Sequence, residues 1–87
     1  MNAPNNELLR AVELAQVGQW DAAHNLVQQY EEDAMAAWIH AVLHKIEGDQ
    51  ANSRYWYRRA HRMERVDEEP RNELVAIQAA LRSRHCA

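Results

Sequence analysis

The sequence predicts an all-α domain, an array of antiparallel helix hairpins with five helices. Three observations predict it. Apolar residues recur at spacings of three and four along most of the chain, the signature of helices with one buried face. No stretch alternates as a half-buried strand would. Only two glycines and two prolines occur in 87 residues, so little of the chain is loop material.

The first helix is expected from about Asn6 to Val17, with Leu8, Leu9, Val12 and Ala15 on one face. Gly18 stops it, since glycine is favoured just past a helix end. The second runs from about Trp20 to Glu31 along the stripe Trp20, Ala23, Val27, Tyr30, and Asp21 suits its positive start. Asp33 is placed to cap the third, Ala34 to Glu47. That helix carries two apolar stripes, one of Met35, Ile39, Val42 and Ile46 and one of Ala37, Ala41 and His44. A helix apolar on most sides is sandwiched between others. Gly48 ends it, and Asp49 caps the fourth, Gln50 to Arg65, with Ser53, Trp56, Tyr57, Ala60 and Met63 inward. Pro70 fits the first turn of a fifth helix, about 69–84, whose buried edge is Leu74, Ile77, Ala80 and Leu81.

Composition narrows the function classes. Apolar residues make up 47% and charged residues 26%, ordinary for a soluble globular chain, and the length suits one domain over 1–87. The net charge of -3 gives no global attraction to nucleic acid or to an anionic membrane. No apolar run approaches the roughly 20 residues that span a bilayer. The start, "MNAPNNELLR", lacks the basic and apolar segments of a signal peptide. A single cysteine, Cys86, cannot form an internal disulfide, and a cytoplasmic location is the expectation.

The pattern repeats. Gly18-Gln19-Trp20 aligns with Gly48-Asp49-Gln50 at an offset of 30 residues, and Ala23, Val27 and Tyr30 fall on Ser53, Tyr57 and Ala60. Segments 6–31 and 34–65 are then two helix-turn-helix units, followed by a capping helix at 69–84. Trp38, Ala41, Gly48, Asp49, Ser53, Tyr57 and Ala60 follow the order of small, Gly-Asp and aromatic positions of the tetratricopeptide repeat, which the chain resembles. The unit is shorter than the usual length of about 34 residues and lacks the closing proline. The stretch "AWIHAVLHKIEGDQANSRYWYRRA" also resembles a group of small bacterial and fungal proteins carrying AWIHA-LH--EGD--N--YWYRRA, over about Trp20 to Arg62. The resemblance implies a right-handed helical-repeat fold and brings no activity with it. It also implies an inner groove lined by Met35, Trp38, Val42 and Lys45, where a protein or peptide partner, or a second copy of the chain, would dock. Trp and Met are common at such surfaces. In the alternative, the same stripe is covered and is core.

Two further clusters stand out. His40 and His44, at i and i+4, project to one side of the third helix, which is metal-ligand spacing. Glu47 is one turn on, and His24 reaches the same locus if the hairpins pack as the repeat predicts. In the alternative they are polar links, bonded to Asn52, Tyr55 or a backbone carbonyl and fixing helix register. Arg54, Arg58, Arg62 and Arg65 form a basic stripe with Arg59 beside it, readable as a platform for phosphate or an acidic peptide. A solvated face balanced by the acidic runs Glu31–Asp33 and Asp67–Glu69 explains it equally, and no nucleic-acid partner is expected. No nucleophile-base pair, glycine-rich phosphate loop or Cys-His cluster is present, so neither a catalytic centre nor a cofactor is expected. The sequence thus implies an interaction module, or else a small metal- or ligand-binding protein, an enzyme among the options, built on His24, His40, His44 and Glu47.

Overall fold

The computed structural model describes residues 3–86, with side chains through Arg84. The Cys86 side chain lies outside that description. The described residues form five α-helices and no strand: α1 (Asn5–Gln16), α2 (Trp20–Val27), α3 (Ala34–Glu47), α4 (Gln50–Ala60) and α5 (Pro70–Cys86). One-turn 3₁₀ segments follow α2 at Gln28–Tyr30 and α4 at Met63–Arg65. None of these helices is long and apolar enough to cross a membrane.

Local chemistry sets the boundaries. Gly48 takes the left-handed conformation at φ 88°, which lets the Asp49 N–H turn back to the His44 carbonyl at 2.9 Å. Asp33 caps α3 by accepting from the Ala36 N–H at 3.0 Å, and its other oxygen accepts from the Ala3 N–H at 2.8 Å. The cap therefore also ties down the chain ahead of α1. Asp49 caps α4 through the Asn52 N–H. The fourth helix is shorter than its periodicity suggests. It ends at Ala60 because His61 adopts the left-handed conformation, φ 59°, and the Arg62 N–H reaches back to the Tyr57 carbonyl at 2.9 Å. Met63 therefore leaves the helix and is exposed, not inward.

α1 packs on α2 and α3 on α4, and the two hairpins meet where α2 crosses α3. Ala23 and Ala41 are fully buried, and Ser53 donates its hydroxyl to the Ala41 carbonyl at 2.8 Å. Small side chains at these crossings allow the backbones to approach closely. Every residue of α3 from Ala36 to His44 is buried.

α5 lies across α1 and α3, with contact to both. It covers the side of α3 where the groove was expected. Trp38 and Val42 are core, Met35 packs half-buried against that core, and Lys45 is turned into an ion pair. An open groove of Met35, Trp38, Val42 and Lys45 does not exist in this structure. The reason is Glu73. It is fully buried on the same face of α5 as Ile77 and Leu81, at steps of four. The Trp38 Nε1–H donates to it at 2.8 Å, Lys45 Nζ at 2.8 Å, and the Tyr57 hydroxyl sits 2.7 Å from both oxygens. Burial, then the bond to Glu73, pushes the Tyr57 hydroxyl pKa up. Lys45 Nζ also donates to the carbonyls of Arg65 and Glu68, which fastens the connection into α5.

A buried carboxylate is tolerable only when its partners replace water. Removing it would strand Lys45, Tyr57 and Trp38 together. Glu73→Ala is expected to cost about 3–5 kcal/mol. Thermal melts followed by circular dichroism should then fall by more than about 10 °C for a domain of this size. A fall of only a degree or two would show that α5 is held by apolar contact alone.

Candidate functional site

The opposite side of α3 carries histidines. His40 and His44 lie one turn apart and stack with ring centroids 5.0 Å apart. Across the hairpin junction α2 supplies His24, whose ring meets both edge-on at 4.7 and 5.3 Å. The Nε2 atoms of His24 and His40 are 3.0 Å apart. One nitrogen from each of the three histidines lies within 4.8 Å of the others.

Two tryptophans frame the cluster. Trp56 of α4 stacks on His40 at 3.9 Å, nearly parallel. Trp20, the first residue of α2, stacks on His24 at 4.6 Å and donates its Nε1–H to the Leu43 carbonyl at 2.6 Å. That bond fixes the height of α2 on α3, and so fixes His24 opposite His40.

His44 is oriented from behind. Its Nδ1 is 2.6 Å from Glu47 Oε1, so Nδ1 carries a proton that it donates to that carboxylate, and the ring is held with Nε2 turned away from Glu47. The structure therefore puts Glu47 behind His44, and His24 beside His40. Asn52 and Tyr55 stand apart from the cluster. Asn52 turns to Asp49, with its Nδ2 donating at 2.7 Å, and the Tyr55 hydroxyl is exposed and accepts from Arg59 at 3.1 Å. Neither satisfies a histidine.

His40 is 3% exposed, and among the described residues its Nδ1 has no hydrogen-bond partner and its ring's polar contact is another imidazole. Burial, then the neighbouring charges that His24 and His44 would carry, lowers its pKa to about 3. Burial also lowers that of His24. Burial thus favours the neutral imidazole at His40 throughout the physiological range.

The basic stripe does not form one surface. Arg62 and Arg65 lie over the Trp38 ring at 4.7 and 5.3 Å, and Arg65 pairs with Glu68 at 2.9 Å. Arg59 reaches Glu32 at 3.4 Å. Arg54 and Arg58 remain exposed. Glu73 was not anticipated as a site residue. Its register with Ile77 and Leu81 puts it on the buried edge of α5, but only its partners on α3 and α4 identify it as a buried carboxylate.

No family model matches the chain, and no curated protein or solved structure is significantly similar to it. The chemistry of the cluster must be read from its own geometry.

That geometry predicts acid sensitivity. The native state holds His40 neutral down to about pH 3, whereas the unfolded chain protonates it near the ordinary value of 6.5. Its share of stability is complete above pH 6.5 and is lost as pH falls toward 3, because the unfolded state then binds the extra proton. The slope amounts to at most about 1.4 kcal/mol per pH unit. Urea unfolding in chelator at pH 7, 6 and 5 should show this slope in the wild type and a flatter one in His40→Leu. Identical slopes in the two proteins would show that His40 is not the titrating group.

Proposed function

We propose that this chain is a small helical binding protein whose ligand is held at the His24–His40–His44 cluster. The observation that carries this reading is the half-satisfied state of His40. A histidine kept as a structural link is expected to use both ring nitrogens, because buried polar atoms without partners cost stability. His40 uses one, against a second imidazole, in a site walled by Trp20 and Trp56. A buried polar group left unsatisfied in a native fold calls for a reason, and a bound ligand supplies one. Nothing beside the cluster supports a hydrolytic reading, since the Ser53 hydroxyl is spent on the Ala41 carbonyl.

The test is His40→Leu at pH 7 in chelator. The leucine removes the orphaned atom and strands only His24, which is partly exposed. The variant is expected to be as stable as the wild type or more stable, by up to about 1–2 kcal/mol. A loss of more than about 1 kcal/mol would make the imidazoles structural and remove the binding reading.

A second reading keeps the chain an interaction module of tetratricopeptide type that docks outside the filled inner face. A cavity of about 660 Å³ opens between the ends of α1 and α3 and the start of α5. Ile46 and Val75 stand exposed in its lining, and Val17 is exposed nearby. Glu69 and Arg71 put both charges on the same lining, which lets two copies related by a twofold axis pair them reciprocally. On this reading the occupant is a second copy. Sedimentation equilibrium at tens of micromolar should give a dimer that Ile46→Glu with Val75→Glu converts to monomer. A monomeric wild type would end it.

A further inference from the structure

We infer that His24, His40 and His44 form a binding site for a divalent transition-metal ion of the zinc class, one imidazole nitrogen each. This rests on the cluster being a binding site and names its ligand.

The spacing fits. Zinc–nitrogen bonds of about 2.0–2.1 Å in a tetrahedron set ligand nitrogens about 3.3 Å apart. The Nε2 atoms of His24 and His40 already stand 3.0 Å apart, and all three ligand nitrogens lie within 4.8 Å of one another. Closing the widest pair takes about 1.5 Å at most, within reach of imidazole rotation at the partly exposed His24. The contact between the two Nε2 atoms is an N–H···N hydrogen bond in which one ring donates. An ion at that point takes a lone pair from both nitrogens once the donor ring has moved its proton to Nδ1.

The outer arrangement fits at His44, whereas the Nδ1 of a His40 bound through Nε2 has no partner among the described residues. A metal-bound histidine ordinarily donates its second N–H to a carboxylate, which fixes the tautomer and the ring orientation. Glu47 is placed to accept that bond from His44 Nδ1 at 2.6 Å. The donor set is three imidazoles with no hard oxygen, which suits zinc, copper, nickel or ferrous iron and not magnesium or calcium. Three protein ligands leave a fourth position for water or another small ligand. A competing group, His44 with Glu47 and Asp49, also lies within ligand distance. Its carboxylates are already committed, Asp49 to the N–H and side-chain amide of Asn52 and Glu47 to His44.

The test uses the full chain stripped with chelator and then titrated. Calorimetry with Zn²⁺ should give one site per chain, and Mg²⁺ or Ca²⁺ should give no heat. Co²⁺ should give the intense visible absorption of tetrahedral coordination, bleached by added Zn²⁺. His24→Ala should weaken binding by at least about 100-fold, and Glu47→Gln by about 10–100-fold, as loss of an outer partner does. His61→Asn, at an exposed histidine whose left-handed backbone asparagine accepts, should change nothing. Zinc heats that are the same in His24→Ala and wild type would overturn the assignment. So would a wild type that gives neither zinc heat nor cobalt absorption, and that result alongside a stabilising His40→Leu would leave a binding site for a different ligand. Loss of stability in His40→Leu would instead strike at the binding reading itself.

Discussion

Helix α3 has no solvent face from Ala36 to His44, and each polar group it carries must find its partner on a neighbouring helix. That constraint organises the molecule. On one side Trp38 and Lys45 need an acceptor, and α5 supplies Glu73. On the other, His40 and His44 meet His24 from α2 and Trp56 from α4. The chain therefore has two buried polar centres back to back on one helix, and the placement of α2, α4 and α5 follows from them as much as from apolar packing.

The two centres are finished differently. Around Glu73 every donor points at an oxygen, and Tyr57 serves both. A network of that kind is costly to break and fixes one arrangement of helices. The imidazole centre is incomplete. Its only internal hydrogen bond between histidines links two Nε2 atoms, and His40 Nδ1 has nothing. Both lie in the same small domain, within two turns of the same helix. General looseness of packing therefore cannot explain the difference. The Glu73 centre is satisfied from within the fold, and the imidazole centre leaves one buried nitrogen without a partner among the described residues.

Much of this was legible in the sequence because it was local. Gly18, Asp33, Gly48, Asp49 and Pro70 announce helix ends by the backbone geometry they favour, and the helices begin or end beside them. The i, i+4 spacing of His40 and His44 gave their shared side, and the helix-turn-helix pattern was enough to suggest His24 beside them. What stayed hidden depended on distant partners. The stop at His61 carries no glycine, because a histidine accepts the left-handed turn there. Glu73 reads as surface charge until Lys45, Tyr57 and Trp38 are known to converge on it. A groove on the inner side of α3 was a sound inference from the two hairpins alone. The fifth helix closes it for a reason held in one buried carboxylate.

The location of the imidazoles carries a further consequence. His24 belongs to the first hairpin, while His40 and His44 belong to the second, so the centre spans their junction. The Trp20 bond to the Leu43 carbonyl crosses the same junction and fixes its height. A ligand bound by all three histidines adds its binding free energy to that single contact surface, since only the docked hairpins offer it three nitrogens. Ligand occupancy and hairpin docking would then be thermodynamically linked, each favouring the other. The Glu73 centre acts on other elements, α5 against α3 and α4, and keeps the rest of the fold assembled whether or not the junction is occupied. A small domain arranged in this way can leave its imidazole centre incompletely satisfied without unfolding, because the helix that carries that centre is secured from its other side.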